Sequence, residues 1–189
     1  LVEIGLKHHT LRGVVLHPDM SVEGHIPAAE QPTKHTPAYP IGQFIATRKA
    51  YGHALVNLFP HHKNMVVLDA EVSNSTEAQI FKAAHPKHFF EMFIAEQNMV
   101  GTALGLSRRG KIPFLSTFAA FLTRAHDQIR MCQYSESNIK IVGSHAGVSI
   151  GEDGASQMAL EDIALFRSLL GSVVLYPSDA NATDKLVAD

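Results

Sequence analysis

"FFEMFIAEQNMVGTALGLSRRGKIPFLST", Phe89 to Thr117, is the stretch whose reading decides the fold. Phe89 to Ala95 is apolar and aromatic, as a strand requires. Glu96 to Arg109 has the length and apolar spacing of a helix, and Ile112 to Thr117 is a second short apolar run. A strand, a helix and a strand in that order make a βαβ unit. Its two strands run parallel, because a crossover of this length returns the chain to the starting edge.

The same alternation continues outward on both sides. Upstream, the pattern predicts a helix over Ile41 to Phe59, a strand over Asn64 to Ala70 and a short helix over Glu77 to Ala84. Downstream it predicts a helix near Phe118 to Gln133, a strand over Ile139 to Ser144 and a helix over Ala155 to Leu170. A strand over Ser172 to Ser178 and a last helix from Asn181 follow. Short apolar strands alternating with helices imply an α/β fold, doubly wound, with a mainly parallel sheet and helices on both faces. In such sheets ligands bind outside the carboxyl ends of the strands. That selects "DAEVSNST", "EQN", "STFAAF", "SHAGVSIGEDG" and "PSDANAT", and puts every polar cluster of interest at one edge.

Before this core, His17 to Pro40 carries five prolines and little apolar periodicity, the composition of an extended connector. "LRGVVL", Leu11 to Leu16, reads as a short strand ahead of it. We therefore divide the chain into an N-terminal segment and linker, residues 1–40, and a domain over residues 41–189. The chain opens on Leu1 and closes within a helical pattern, so a piece of a longer protein is expected.

Composition narrows the partners. A chain of 189 residues is large enough to bury a core, and a formal net charge of −2 gives no basic face for nucleic acid. Cys132, the one cysteine, cannot form an internal disulfide, and no apolar run approaches the roughly 18 residues that cross a bilayer. The expectation is a cytoplasmic protein acting on small molecules, with no membrane partner.

The loop "GSHAGVSIGEDG", Gly143 to Gly154, invites sharper readings. "GVSIG" matches a nucleophile elbow with Ser149 as nucleophile, but no histidine follows Ser149, so a hydrolase triad in the order Ser, acid, His cannot form. Neither phosphate-loop pattern occurs. "EDG" followed by Asn181 lacks the glycine-aspartate pair of a G-D-G…N metal motif, and the twelve histidines show no zinc-ligand spacing, so no metal site is expected. The loop's glycines read as spacers that let the backbone approach a ligand, and its weight falls on His145 and Asp153.

Taken in order, "ATRKAYG", "STEAQIF", "FIAEQNMV", "PFLSTFAAFLTRAHDQIR", "GSHAGVSIGEDGASQMALEDIALFRSL" and "YPSDANAT" resemble the pyrimidine-binding (Pyr) domain of transketolases, in its animal-like branch. The resemblance covers the chain from about Phe44 onward. It implies the thiamine-diphosphate-binding fold and transfer of a two-carbon ketol unit from a ketose phosphate to an aldose phosphate. Deoxyxylulose-phosphate synthase and the β subunits of 2-oxoacid dehydrogenases share an "AEQ"-like glutamate and stand as alternatives, as does a non-catalytic assembly module. By resemblance this chain supplies the aminopyrimidine half of a thiamine diphosphate site. The diphosphate half, with Mg or Ca, belongs to a diphosphate-binding domain of the same or another chain, in a homodimer. That domain and a C-terminal domain are absent from this chain.

The resemblance also implies roles, each suited to the residue type. Glu96, opening a helix after an apolar strand, would hydrogen-bond the aminopyrimidine N1′ and promote cofactor activation. Phe118 and Phe121, read as three apart on one helical face, would wall the heterocycle, with Arg124 standing where some members carry a tyrosine. His145, also a catalytic candidate, and Asp153 would meet substrate hydroxyl and phosphate groups. Gln157 matches the animal-like form of a nearby position. Arg48 would anchor a phosphate, with Ser73 or Ser75 as a second donor.

Overall fold

The computed structural model describes residues 38–189; the expected strand at Leu11 to Leu16 and most of the linker lie outside the described residues. Four strands form one sheet in the order β2-β1-β3-β4, every pair parallel. They are β1 Met65–Asp69, β2 Phe89–Glu91, β3 Ile112–Phe118 and β4 Lys140–Ser144. The helices are α1 Thr47–Leu58, α2 Ser73–Thr76, α3 Gln79–Ala84, α4 Glu96–Ser107, α5 His126–Tyr134, α6 Asp162–Arg167 and α7 Ala180–Ala188. The α/β expectation holds, and the sheet is parallel throughout.

Successive side chains of a strand point to opposite faces, and β1 and β3 use both. Val66, Leu68 and Leu115 pack with Met99, Val100 and Ala103 of α4 and with Ile129 and Cys132 of α5. Met65, Val67 and Phe114 face the other way, onto Tyr51, Leu55 and Phe59 at α1, Phe81 of α3 and Phe89 of β2. A strand covered on both faces needs an unbroken apolar run, which is why "MVVL" and "PFL" carry no alternation. Each large side chain so buried contributes about 1.5–3 kcal/mol before entropy is counted. On the second face α7 lies against α1, its N-terminus closed by Asp179, whose carboxylate accepts from Ala182 N–H at 2.8 Å.

Several elements differ from the expectation. The helix expected from Ile41 begins at Thr47; the one expected over Glu77–Ala84 is α3, starting at Gln79, and a left-handed Glu77 separates it from the short α2, which was not expected. β2 stops at Glu91 instead of running to Ala95. Its partner β1 ends at the opposite residue, Asp69, so later residues have no ladder to join. The chain turns at Phe93 (φ 56°), leaving Phe93 and Ile94 64% and 71% exposed. No helix starts at Phe118: β3 runs through it, a 3-10 turn covers Phe121–Ala125, and α5 follows. The helix expected over Ala155–Leu170 is reduced to α6. Ser172 to Ser178 forms no strand, because neither ladder bonds nor burial support one there; Val173, Leu175 and Tyr176 are exposed.

Candidate functional site

The carboxyl ends of the four strands bring most of the sequence candidates to one edge. Glu96 opens α4 just beyond β2, buried and ion-paired with the Arg124 guanidinium. Gln97 donates to the Arg124 carbonyl at 3.0 Å, so the first turn of α4 holds this residue by both ends. The guanidinium also lies over the Phe121 ring, 4.4 Å from its centroid. Phe121 stacks on Phe118 at 5.0 Å with planes 4° apart, and Phe118 stacks in turn on the His145 ring at 4.1 Å. The two phenylalanines meet, although they share no helical face: one ends a strand and the other starts a 3-10 turn.

From His145 the contacts continue to Arg48. Arg48 Nη1 lies 3.0 Å from His145 Nε2 and donates to the Ser75 carbonyl at 3.3 Å. A guanidinium can only donate, so Nε2 accepts and the neutral ring carries its proton on Nδ1, which donates to Ser144 Oγ at 2.9 Å. Ser144 passes its own proton toward the Thr117 carbonyl at 3.4 Å. Burial first, then the Arg48 charge, push His145 below its ordinary 6.5, with Asp153 opposing them. His145 is therefore held neutral, as an acceptor, beside a fixed cation. Its backbone sits at φ 56°, a left-handed position that a side chain adopts at a cost.

The other candidates stand further out. Ser73 starts α2, and it is the Ser75 carbonyl that meets Arg48. Asp153 is exposed and acts on His145 through charge alone. Gln157 ends a short 3-10 turn, and among the described residues no hydrogen bond ties its side chain to the cluster. Gly147, Gly151 and Gly154 are at φ 73°, 65° and 88°, and a Cβ on any of them would meet nothing within 4 Å. Their positive φ is a conformation that glycine adopts freely, and the space over each Cα is open. The close approach belongs to Gly143, whose added Cβ would fall 2.9 Å from Ala119 Cα. Ser149, in the apparent elbow, is exposed.

Sequence reasoning passed over Asp69. It ends β1 between Glu91 and Ser116, wholly buried, with Oδ1 accepting from Val72 N–H and Oδ2 from the Thr76 hydroxyl, each at 2.7 Å. Burial pushes its carboxyl up to about 6 against the opposing pull of those two hydrogen bonds. On the neighbouring strand Ser116 Oγ and Tyr51 Oη share a buried hydrogen bond of 2.8 Å. The signal was an acid closing an apolar strand at the ligand-binding edge.

Residues 43–189 match the family described as Transketolase, pyrimidine binding domain. The chain belongs to that family. This Pyr-domain chain is 59% identical over 152 residues to human transketolase, an alignment covering 80% of the chain and 24% of that protein. It spans about a quarter of the length of the curated transketolases it matches. Among solved structures it is 48% identical to a split-gene transketolase described as an inactive β4 tetramer, at a TM-score of 0.67 over 77% of this chain and 47% of the other. The transketolase of Pichia stipitis, solved with sedoheptulose 7-phosphate, shares the fold at a TM-score of 0.70 and 24% identity, over 82% of this chain and 25% of that one.

Proposed function

We propose that this chain supplies the Pyr half of a thiamine diphosphate site and takes part in ketol transfer between sugar phosphates once joined to a diphosphate-binding domain. The observation that carries this reading is the unbroken series of contacts Glu96, Arg124, Phe121, Phe118, His145, Arg48, Ser75 along one sheet edge. It joins a buried carboxylate, an aromatic wall and a cationic anchor, which are the three chemistries needed for a heterocycle bearing donors and for an anionic sugar.

The residues fit the aminopyrimidine. Arg124 is a flat group that lies on an aromatic face while donating to Glu96, so that face and that carboxylate accept a flat, donor-bearing ligand. When bound, thiamine diphosphate supplies the carbon nucleophile that cleaves a ketose. Glu96 would hold a proton at the ring nitrogen, and Phe118 and Phe121 would orient the ring and exclude water. Arg48 would take the substrate phosphate, with Ser75 or Ser73 beside it. His145, Asp153 and Gln157 would meet sugar hydroxyls from the loop after β4.

In this reading the Pyr domain occupies residues 41–189, and the diphosphate-binding domain that holds Mg or Ca belongs to the same or another chain. The working enzyme is a cytoplasmic homodimer, and the chain alone is inactive, in keeping with a split-gene relative described as an inactive tetramer. The test is to assemble the chain with a transketolase diphosphate-binding domain, thiamine diphosphate and Mg²⁺, and to follow ketol transfer from a ketose phosphate. Glu96→Ala should abolish turnover without dissociating the pair. Full activity in Glu96→Ala would leave the chain an assembly module, and pyruvate consumption without ketol transfer would assign it to the synthase or dehydrogenase chemistry.

A further inference from the structure

The segment from Glu71 to Glu77 carries Ser73 and Ser75, and both its ends are left-handed, φ 62° at Glu71 and 64° at Glu77. Neither is glycine, so each costs on the order of 1 kcal/mol and has to be held by its surroundings. Two contacts hold them. Asp69, with no exposed surface, uses one carboxylate oxygen on the Val72 N–H and the other on the Thr76 hydroxyl, gripping the turn at both ends of α2. On the opposite side α1 touches the segment backbone to backbone: a Cβ on Gly52 would fall 2.3 Å from the Glu77 carbonyl oxygen.

Gly52 lies four residues after Arg48, on the same face of α1. The distance at which α1 meets the segment therefore sets how Arg48 reaches the Ser75 carbonyl, 3.3 Å away, and from there His145 Nε2, 3.0 Å away. A second carboxylate reinforces the arrangement, since Glu91 accepts from Glu71 N–H at 2.9 Å and from Lys82 at 3.1 Å.

We propose that Asp69, acting through Thr76, is a positioning residue for the Arg48–His145 anchor: it fixes the Ser75 carbonyl so that the guanidinium is held against the imidazole. The positioning stands on contacts within this chain. What the anchor takes, the phosphate of a sugar, rests on the function proposed above.

The test is titration of the His145 ring by NMR in the full chain. The groups facing that ring are Arg48 from α1, Phe118 from β3, and Ser144 and Asp153 of its own loop. Arg48→Gln removes a neighbouring cation and should raise the midpoint. Thr76→Val and Asp69→Asn should raise it part of the way, while Thr76→Ser, which keeps the hydroxyl, should leave it at the wild-type value. A purely structural role would lower melting temperature without moving the midpoint in the folded chain. The proposal is overturned if Thr76→Val and Asp69→Asn leave the midpoint in place while Arg48→Gln raises it, or if Arg48→Gln itself has no effect. Asp69→Asn carries the result alone if Thr76→Val does not fold.

A second arm separates the anchor's ligand from its geometry. In the chain assembled with a diphosphate-binding domain, Thr76→Val should weaken ribose 5-phosphate roughly tenfold, the loss of about one charge-assisted hydrogen bond, and leave ribose unaffected. If the midpoints shift as expected but ribose 5-phosphate does not perturb the wild-type His145 resonance, the phosphate reading falls and the positioning role stands.

Discussion

At Glu96 a buried carboxylate faces a guanidinium that is about half exposed, so water can compensate one partner of the pair but not the other. Arg124→Ala should then cost about 1–2 kcal/mol, below the 3–5 kcal/mol expected for breaking a fully buried pair. Glu96→Gln should recover much of that loss in the double variant, and urea melts of the four proteins would measure the coupling. Asp69 makes a different prediction. Its carboxyl titrates near 6 when folded against about 4 when unfolded, so between those values the folded state binds a proton that the unfolded state lacks. Stability therefore falls as pH rises through that window. The two-unit gap amounts to about 3 kcal/mol at most, and Asp69→Asn should remove this slope in melts run from pH 4 to pH 7.5. Glu96 was singled out because it stands in the "FIAEQNMV" motif that carries the family resemblance; an acid after an apolar run is not enough by itself. Asp69 occupies an equivalent place after "MVVL", but its partners are a hydroxyl seven residues on and a backbone N–H, which leave no pattern of charge.

Between elements, the contact that orders the site is the one between β4 and the turn after β3. Gly143 lies on β4 against Ala119, and an added Cβ would also come within 3.1 Å of Leu122 Cδ1. Gly143→Ala should cost about 1–3 kcal/mol by overpacking, and should displace Phe118 and His145, which flank that contact; a urea melt with the NMR shifts of the two rings would show both. The βαβ alternation could be read from the sequence because strands covered on both faces must be apolar throughout. Where β3 ends could not, since "STFAAF" satisfies a strand and a helix equally and the ladder with β4 decides: Phe118 is opposite Ser144. The same reasoning explains Ser172 to Ser178, an apolar run with the composition of a strand and nothing described that covers it.

Over the described residues as a whole, large apolar side chains are exposed in several connecting segments: Phe93 and Ile94 before α4, Val148 and Leu160 after β4, Leu175 and Tyr176 before α7. Where such side chains adjoin, they mark contact surfaces. In light scattering the purified chain should show a mass above its own 20.6 kDa that falls on dilution and is replaced by a defined complex when a diphosphate-binding domain is added. A monodisperse monomer at all concentrations would show that these side chains do not drive association. The core beneath them contains its own clock. Cys132 is the one thiol in the chain, buried between α5 and the sheet, and burial pushes its ionisation up as well. A thiol reagent can reach it only when α5 lifts, so the rate of labelling counts those openings. A diphosphate-binding partner that tightens this domain would slow the count, which gives assembly a chemical readout that needs no substrate and no turnover.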